Sequence, residues 1–528
     1  MVKKSFVLFV LMATSALAFA DTWNGKNSDT SWYEEGKSEY RLSTAAQLKG
    51  LADLVNNKMV TFEGCAVYLD NDIDLNDRQW TPIGFGNSAW KGRFLGDFYG
   101  GGHFIENMYI DTSLLPSHSQ DVLTTGLFGN AYGKIADIHL TGVIDISSTS
   151  NSYYLGGLVA QGNAVERVSC NVSMRFNVGT SGSITVGLVA ALAKNISQAK
   201  CRGLIYYKDS SSSRGCFGGV AGNVTSISQC LCEANIGLNI LNGSGTLSYV
   251  GGIAGMAMTV DNCIYTGGLS VYKVFSNLQN IFLGGITTGN MESTNTLNNV
   301  IFAPSSFYAD IIYYNKSMTT VWAGSVTNAY YNSSYASSTE KYGYGVATDY
   351  LKSGSRLEGF DTDVWEFRQG AYPMLKALKI KYTVSVPVVN GRASFYVDEG
   401  ESATIGLTPE SGWLLKAVYV NTVDMTSSVG GGKLTLNDIR QNYMVSAVFE
   451  KDAQGIRNVN TGSRPNIRVV EGNRLIFSGI STGSHIRVYD MDGRMVKDMV
   501  YSHKSSILLR GGTYIVNVGE ASFKVSLK

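Results

Sequence analysis

A parallel β-solenoid followed by two smaller all-β modules is the fold this sequence predicts. Three observations carry the reading. A glycine-anchored phrase returns every thirty-odd residues, cysteines recur at fixed offsets from it, and the composition sets 59 Gly and 30 Tyr against only 7 Pro. Glycine turns and aromatics with few prolines favour extended structure over helix bundles or a disordered linker protein. At 528 residues the chain exceeds a single compact core, so two to four domains are expected. Lys plus Arg number 43 against 42 Asp plus Glu, and charged residues are 16% of the chain. That sparse, balanced charge argues against nucleic acid or an anionic membrane as the principal partner.

Residues 1–20 read as a secretory signal: Lys3 and Lys4, an apolar run Phe6–Met12, then Ala18-Phe19-Ala20 before Asp21. The run is too short for a comfortable membrane anchor, no Cys follows the cleavage site, and no later stretch is apolar enough to span a bilayer. The mature chain is therefore expected outside the cytoplasm, secreted or on the outer cell surface, without membrane insertion. Next comes one helix, "RLSTAAQLKGLADLVNN". Ser43 or Thr44 is its cap, and Leu48, Leu51, Leu54 and Val55 fall at helical spacing. Its place ahead of the repeats suits a cover for the open end of a rod.

The repeats follow: GLFGN at Gly126, LGGLVAQGN with Gly157, VGLVAALAKN with Gly187, FGGVAGN with Gly219, VGGIAGMAM with Gly252 and LGGITTGN with Gly285. Aligned on those glycines, the steps are 31, 30, 32, 33 and 33 residues. After each anchor come a polar turn and a short hydrophobic–polar alternation, as in "ISQCLCEANIGL". Short strands of this kind cannot bury an inner face alone, and stacking them pairs each backbone with the coils above and below. The paired glycines suggest a tight corner with unusual φ together with close approach between coils. Cys170, Cys201 and Cys232 lie 13, 14 and 13 residues after their anchors, and Cys230 and Cys263 both lie 11 after theirs. Stacked thiols in the interior are the reading favoured over disulfides or metal, since residues 140–484 contain no histidine.

These phrases resemble the GLUG motif, a glycine-rich repeat of bacterial surface and secreted proteins. The preceding "DNDIDLNDRQWTPIGFGNSAWKGRFLGDFYGGGHFIENMYI" (Asp70 to Ile110) is similar to the coils that lead into such repeats, and "DTDVWEFRQGAYPMLKAL" (Asp361 to Leu378) is similar to their exit. Two copies depart from the motif: VGLVAALAKN lacks a glycine and LGGITTGN carries threonines. The resemblance covers roughly residues 40–378. It implies a right-handed parallel β-helix, with a location and an architecture more than a reaction; several members are taken as adhesins, and some sit in large surface peptidases outside the catalytic part.

With the helix as cap, the β-helix region is placed at 21–378. Residues 380–451 alternate as strands joined by Gly, Asn and Asp turns, a small all-β repeat or spacer module with Trp413 expected in its core. Residues 452–466 read as a linker carrying Gly455, Gly462 and Pro465. In 467–528, Ile486-Val488-Tyr489, Asp490-x-x-Gly493-Arg494, Gly512-x-Tyr514-Ile515-Val516 and Lys528 resemble, in order, the type A C-terminal sorting domain of the type IX secretion system. That resemblance implies a Bacteroidetes-type bacterium, with the type IX machinery as a partner. Both modules are expected to be small and β-sandwich-like, the last with a turn at Asp492-Gly493 and a hairpin through Gly511-Gly512.

β-Helices host lyases and glycosidases, which generally need two carboxylates a few ångströms apart. Between Asn151 and Val300 the acidic residues are Glu166, Asp209, Glu233, Asp261 and Glu292, and none recurs as a ladder. Asp70, Asp72, Asp74 and Asp77 are the densest acidic run, a set suited to calcium or, given its DIDL context, to turns and a solvated edge. His103 and His139 have no Ser or Cys motif beside them and read as structural. No catalytic, cofactor or metal residues are assigned, and no cofactor is expected. That leaves binding. Surface tyrosines and the polar runs Ser147–Tyr154, Lys208–Gly215 and Asn332–Gly345 are expected to project as loops from the rod, suited to host protein or glycan. A non-enzymatic adhesin is the reading favoured; a carbohydrate-active enzyme or peptidase accessory chain, and a structural surface or biofilm component, are its alternatives.

Overall fold

The computed structural model describes residues 23–527 except 59, 86–91, 117–121, 148, 177–181, 209–213, 241–246, 274–280, 290–294, 310–315, 336–341, 379–380, 389–390, 410–412, 438, 440, 452–464, 471–472, 503–504 and 520. The signal segment and most of the linker therefore lie outside the described residues. The chain divides at Ile380/Lys381 into two compact units. No helix among the described residues is long and apolar enough to cross a membrane.

The first unit is an all-β parallel solenoid. On its long sheet eleven strands succeed one another, from Glu39–Leu42 and Ala66–Leu69 through Val159–Phe176, Ala190–Lys208 and Ala221–Cys232 to Tyr344–Val346. A short sheet stacks seven more, among them Ser152–Gly156, Ser183–Gly187, Arg214–Gly218 and Ser248–Gly251. The pairing along both is parallel. In the coil Ser183–Lys208, the short strand ends at Gly187. The strand from Ala190 then bends at Gln198 (φ 50°) and again at Gly203 (φ 106°). Beyond the second bend a side sheet continues as Asn235–Ile240, Gly268–Lys273 and Ser306–Ala309.

Inward residues stack as ladders. Val165, Ile196, Ile227, Val260 and Leu297 are in register and buried. Cys170, Cys201 and Cys232 form the predicted row, continued by Tyr265 and Phe302, and Cys230 stacks on Cys263. All are free thiols. Burial pushes the Cys170 thiol far up and that of Cys216 up to about 12, so both are neutral packing groups rather than nucleophiles.

The glycine rows differ from the expected alignment in one place. Gly156, Gly187, Gly218, Gly251 and Gly284 share one row; Gly157, Gly219, Gly252 and Gly285 share the next, with Leu188 in it rather than Gly187. The two rows have separate steric reasons. A Cβ at Gly156, Gly218, Gly251 or Gly284 would fall 1.9, 1.9, 2.0 or 1.8 Å from the carbonyl oxygen three residues on in its own coil. One at Gly157, Gly219, Gly252 or Gly285 would fall 2.2, 2.3, 2.5 or 2.0 Å from a carbonyl oxygen of the next coil. None of these eight has a left-handed φ, so space and not backbone freedom demands glycine here.

Left-handed backbone sits elsewhere, at Asn107, Asp137, Arg167, Gln198, Gln229, Asn262, Asn299 and Asn328, all with φ between 50° and 59°. This is the corner that turns each coil. Asn and Asp tolerate the conformation best, and side-chain bonds between successive rungs support the rest. Arg167 grips Asp137 through two bonds of 2.6 and 2.9 Å, Gln198 donates to Gln229 at 2.9 Å, and Asn328 donates to Asn299 at 3.0 Å.

The N-terminal helix is Ala45–Lys58. Thr44, not Ser43, is its cap: the Thr44 hydroxyl accepts from the Gln47 N–H, and the Gln47 side chain accepts from the Ser43 N–H. Leu48, Leu51, Leu54 and Val55 are buried in the core of the first coils, as a cover requires. At the other end the exit segment does more than close the rod. Residues 347–378 fold back over an outward row of the long sheet, Leu231, Ile264, Ile301 and Tyr330, and add Leu351, Leu357, Phe360, Trp365, Leu375 and Leu378 to make a second core outside the solenoid.

In the second unit, Gly391–Asp398, Lys381–Val388, Tyr443–Lys451, Trp413–Val420 and Val423–Asp424 form a five-stranded sheet beside the pair Ala403–Gly406 and Lys433–Leu436. Trp413 is 40% exposed, contrary to the core position expected for it. A bulge between Leu415 and Ala417 breaks the alternation, so burial holds for Val418 and Val420 but not for the strand's start. Toward the C-terminus, a three-stranded and a four-stranded antiparallel sheet share one core of Leu475, Phe477, Ile486, Val488, Ile507, Val516 and Val525. The Asp492-Gly493 turn is present, with Gly493 at φ 81° and the Asp490 carboxylate accepting from the Arg494 N–H. The hairpin is displaced. Gly512 begins a strand paired to Ala521–Leu527, and the chain reverses at Gly519 (φ 59°) rather than at Gly511-Gly512.

Candidate binding face

The acidic residues weighed for catalysis are engaged one by one. Glu166 pairs with Lys134 and Arg167. Glu233 accepts from Arg202 at 2.7 Å and lies 3.6 Å from the buried Lys200 ammonium. Asp261 accepts from Asn262 and from Asn299. Asp209 and Glu292 lie outside the described residues. In the leading coil Asp70 pairs with Arg41, Asp72 accepts from the Phe104 N–H and contacts His103 at 3.0 Å, and Asp74 accepts from the Asn76 N–H and from Asn107. These are turn and coil-to-coil bonds. Glu106 is pushed above the ordinary carboxylate range by burial and by Asp74 and Asp72. His139 stacks on Phe104 at 4.7 Å, and burial lowers its pKa.

One concavity, of about 490 Å³, lies in the exit segment and is lined by Gly354, Arg356, Thr362, Trp365, Glu366, Phe367 and Lys376. Its single carboxylate, Glu366, accepts from Arg368 at 2.8 Å. A lone, engaged carboxylate does not make an acid–base pair.

Of the expected loops, Lys208–Gly215 falls largely outside the described residues, and where the three runs are described they do not all project. Tyr153 is fully buried, its hydroxyl accepting from the Ser150 N–H, because strand alternation turns it inward. Tyr344 is 67% exposed at the last coil.

The exposed aromatics that share a face lie on strands. On the side sheet Ile205, Tyr207, Ile236, Leu238, Leu269 and Val271 point inward, leaving their neighbours outside. Arg175, Tyr206, Gly237, Ser270 and Tyr308 are in register on one outward row; Lys208, Asn239 and Tyr272 form a second. Tyr206, Tyr272 and Tyr308 are 41%, 46% and 50% exposed. The rings of Tyr272 and Tyr308 stack at 4.8 Å with 28° between planes. The Tyr206 ring leans over Gly237, where a Cβ would meet it at 3.5 Å, and its hydroxyl accepts from Asn239 at 3.4 Å. The alternation in "LIYYK" already places Tyr206 opposite two inward residues; the sequence reading looked for binding tyrosines in loops and passed over it.

No protein-family model matches the chain, and no curated protein does. Among solved structures it is similar to a Bacteroides ovatus protein described as a "putative immunoglobulin A1 protease", at 15% identity and a TM-score of 0.40, over 64% of this chain and 92% of that one.

Proposed function

We propose that this chain is a secreted, outer-surface, non-enzymatic right-handed β-helix that acts as an adhesin, binding host protein or glycan. The segment Ile467–Lys528 directs its export through the type IX machinery, and residues 380–451 space the solenoid from the cell. The observation that carries the binding role is the side sheet: three exposed tyrosines share one outward face, while the acidic side chains weighed for catalysis and described are engaged in turns, corners and ion pairs. Rigid aromatics beside Ser and Asn provide contact area at low entropic cost.

The purified chain, applied to arrays of host proteins and glycans, is expected to be retained without releasing new reducing ends or peptide fragments. Release of either product overturns the non-enzymatic reading. Deletion of Ile467–Lys528 is expected to trap the protein in the periplasm. Its appearance at the surface or in the medium after that deletion removes the export assignment.

A further inference from the structure

Two cations stand at one end of the side sheet. Arg175 stands one rung before Tyr206 in the same outward row, and Lys208 stands two residues beyond it on the same strand side. Both are exposed, and among the described residues neither has an ion-pair partner. An acidic residue, Asp145, stands one rung before Arg175 in the same row; Asp209, which follows Lys208 in the chain, lies outside the described residues. Between Tyr206 and the Tyr272–Tyr308 pair the floor is Gly237 and Ser270, so a shallow trough runs along the solenoid axis over three rungs, roughly 14 Å at the spacing of parallel strands.

We propose that this trough seats an acidic polysaccharide, a chain of uronic acid residues lying parallel to the solenoid axis. The inference rests on the adhesin reading and names its ligand class. An aromatic face is electron-rich, and a pyranose presents a face of weakly positive C–H groups to it. The strand spacing is comparable to the length of one sugar unit, so rings offset by rungs meet successive residues of an extended glycan. Asn239 and Ser270 supply neutral hydrogen bonds to hydroxyls. The Arg175 guanidinium and Lys208 ammonium meet carboxylates at one end of the trough, the arginine with a planar fork that fits a carboxylate in two bonds. Exposed ion pairs are individually weak and screened by salt. The tyrosines therefore supply most of the affinity, and the cations select acidic over neutral chains.

The test uses the full-length exported chain with polygalacturonate as probe and its fully methyl-esterified form as the neutral match, read by titration calorimetry at low and high salt. Polygalacturonate is expected to bind about tenfold or more tightly than the ester at low salt, with the difference shrinking as salt rises. The double substitution Arg175→Gln/Lys208→Gln is expected to abolish that preference, bringing polygalacturonate down to the affinity of the ester. Tyr206→Ala, and separately Tyr272→Ala/Tyr308→Ala, are expected to weaken both polymers by about tenfold. A thermal melt matching the parent shows that each variant is folded. Binding unchanged in both Tyr206→Ala and Tyr272→Ala/Tyr308→Ala, or no binding of either polymer, overturns the proposal. If neither polymer binds while the chain is still retained by an arrayed host protein, this ligand class fails and the adhesin reading stands.

Discussion

Two outward surfaces of the same solenoid are built from the same alternation and end in opposite states. On the long sheet the row Leu231, Ile264, Ile301 and Tyr330 is buried, because residues 347–378 fold back across it. On the side sheet the row Tyr206, Gly237, Ser270 and Tyr308 carries no such cover among the described residues, and its large members are tyrosines. The difference lies in side-chain chemistry. A continuous aliphatic row left in water is a sticky patch, so a chain that writes Leu, Ile and Ile on successive rungs must also provide something to lie on them. Tyrosine keeps a polar tip in water, and glycine and serine break the patch, so the second face stays open. A covered row holds the fold together; a bare one is free to hold something else.

The largest effect that sharpens this contrast is expected at Trp365. It is fully buried and belongs to the core between strap and rod. Trp365→Ala is expected to cost about 3–5 kcal/mol in denaturant-induced unfolding of the first unit. Its indole Nε1 has no hydrogen-bond partner among the described residues, so Trp365→Phe is expected to cost clearly less. Equal losses from both would show that the indole makes a bond beyond packing.

Next in size is the contact between coils. A methyl at Gly219 would sit 2.3 Å from the Gly252 carbonyl oxygen and 2.4 Å from the Cys232 sulfur. Gly219→Ala is expected to destabilise by about 1–3 kcal/mol, whereas Ala at exposed Gly406, with open space around it, is expected to be near neutral in thermal melts. A neutral Gly219→Ala would remove the steric account of the second glycine row.

Much of this architecture was legible because the repeat carries its own register. Stacked strands and cysteine ladders follow from periodicity alone. The alignment of the third repeat was misread at Gly187, and the clue was already present: Cys201 lies 14 residues after that glycine where its fellows lie 13 after theirs, and 13 after Leu188. The left-handed corner escaped because Arg167 and Gln198 stand where Asn or Asp would have signalled it, held by rung-to-rung bonds that periodicity does not reveal. The strap escaped for another reason. An apolar residue beside Cys230 or Cys263 reads as core on either face, and which face it occupies depends on a segment about a hundred residues later in the chain. The tyrosine face required knowing that four strands from separate coils lie side by side.

A smaller effect is expected from pH at the far end of the covered row, where Phe104, His139, Ser169 and Lys200 precede Leu231 in register. His139 Nδ1 is buried without a partner among the described residues, and burial holds the imidazole pKa below its ordinary 6.5 although Asp72 and Asp137 pull the other way. The unfolded chain therefore takes up this proton more readily than the folded one. The neutral imidazole's contribution is full above about pH 6.5 and is lost as pH falls below it. Glu106, raised by burial, has the opposite sign at lower pH, so the comparison is between parent and His139→Gln. The parent is expected to lose stability more steeply than the variant just below pH 6.5; parallel curves would place the imidazole in water.

The smallest effect discriminates best between the two surfaces. Tyr206, Tyr272 and Tyr308 are about half exposed and cover no aliphatic row. Replacing Tyr206 or Tyr308 by Ala is expected to move unfolding free energy by no more than about 0.5 kcal/mol, far below the loss at Trp365. A residue that contributes little to folding while presenting its ring to solvent is free for ligand contact, whereas a loss of several kcal/mol at Tyr206 or Tyr308 would mean that this face too has a cover.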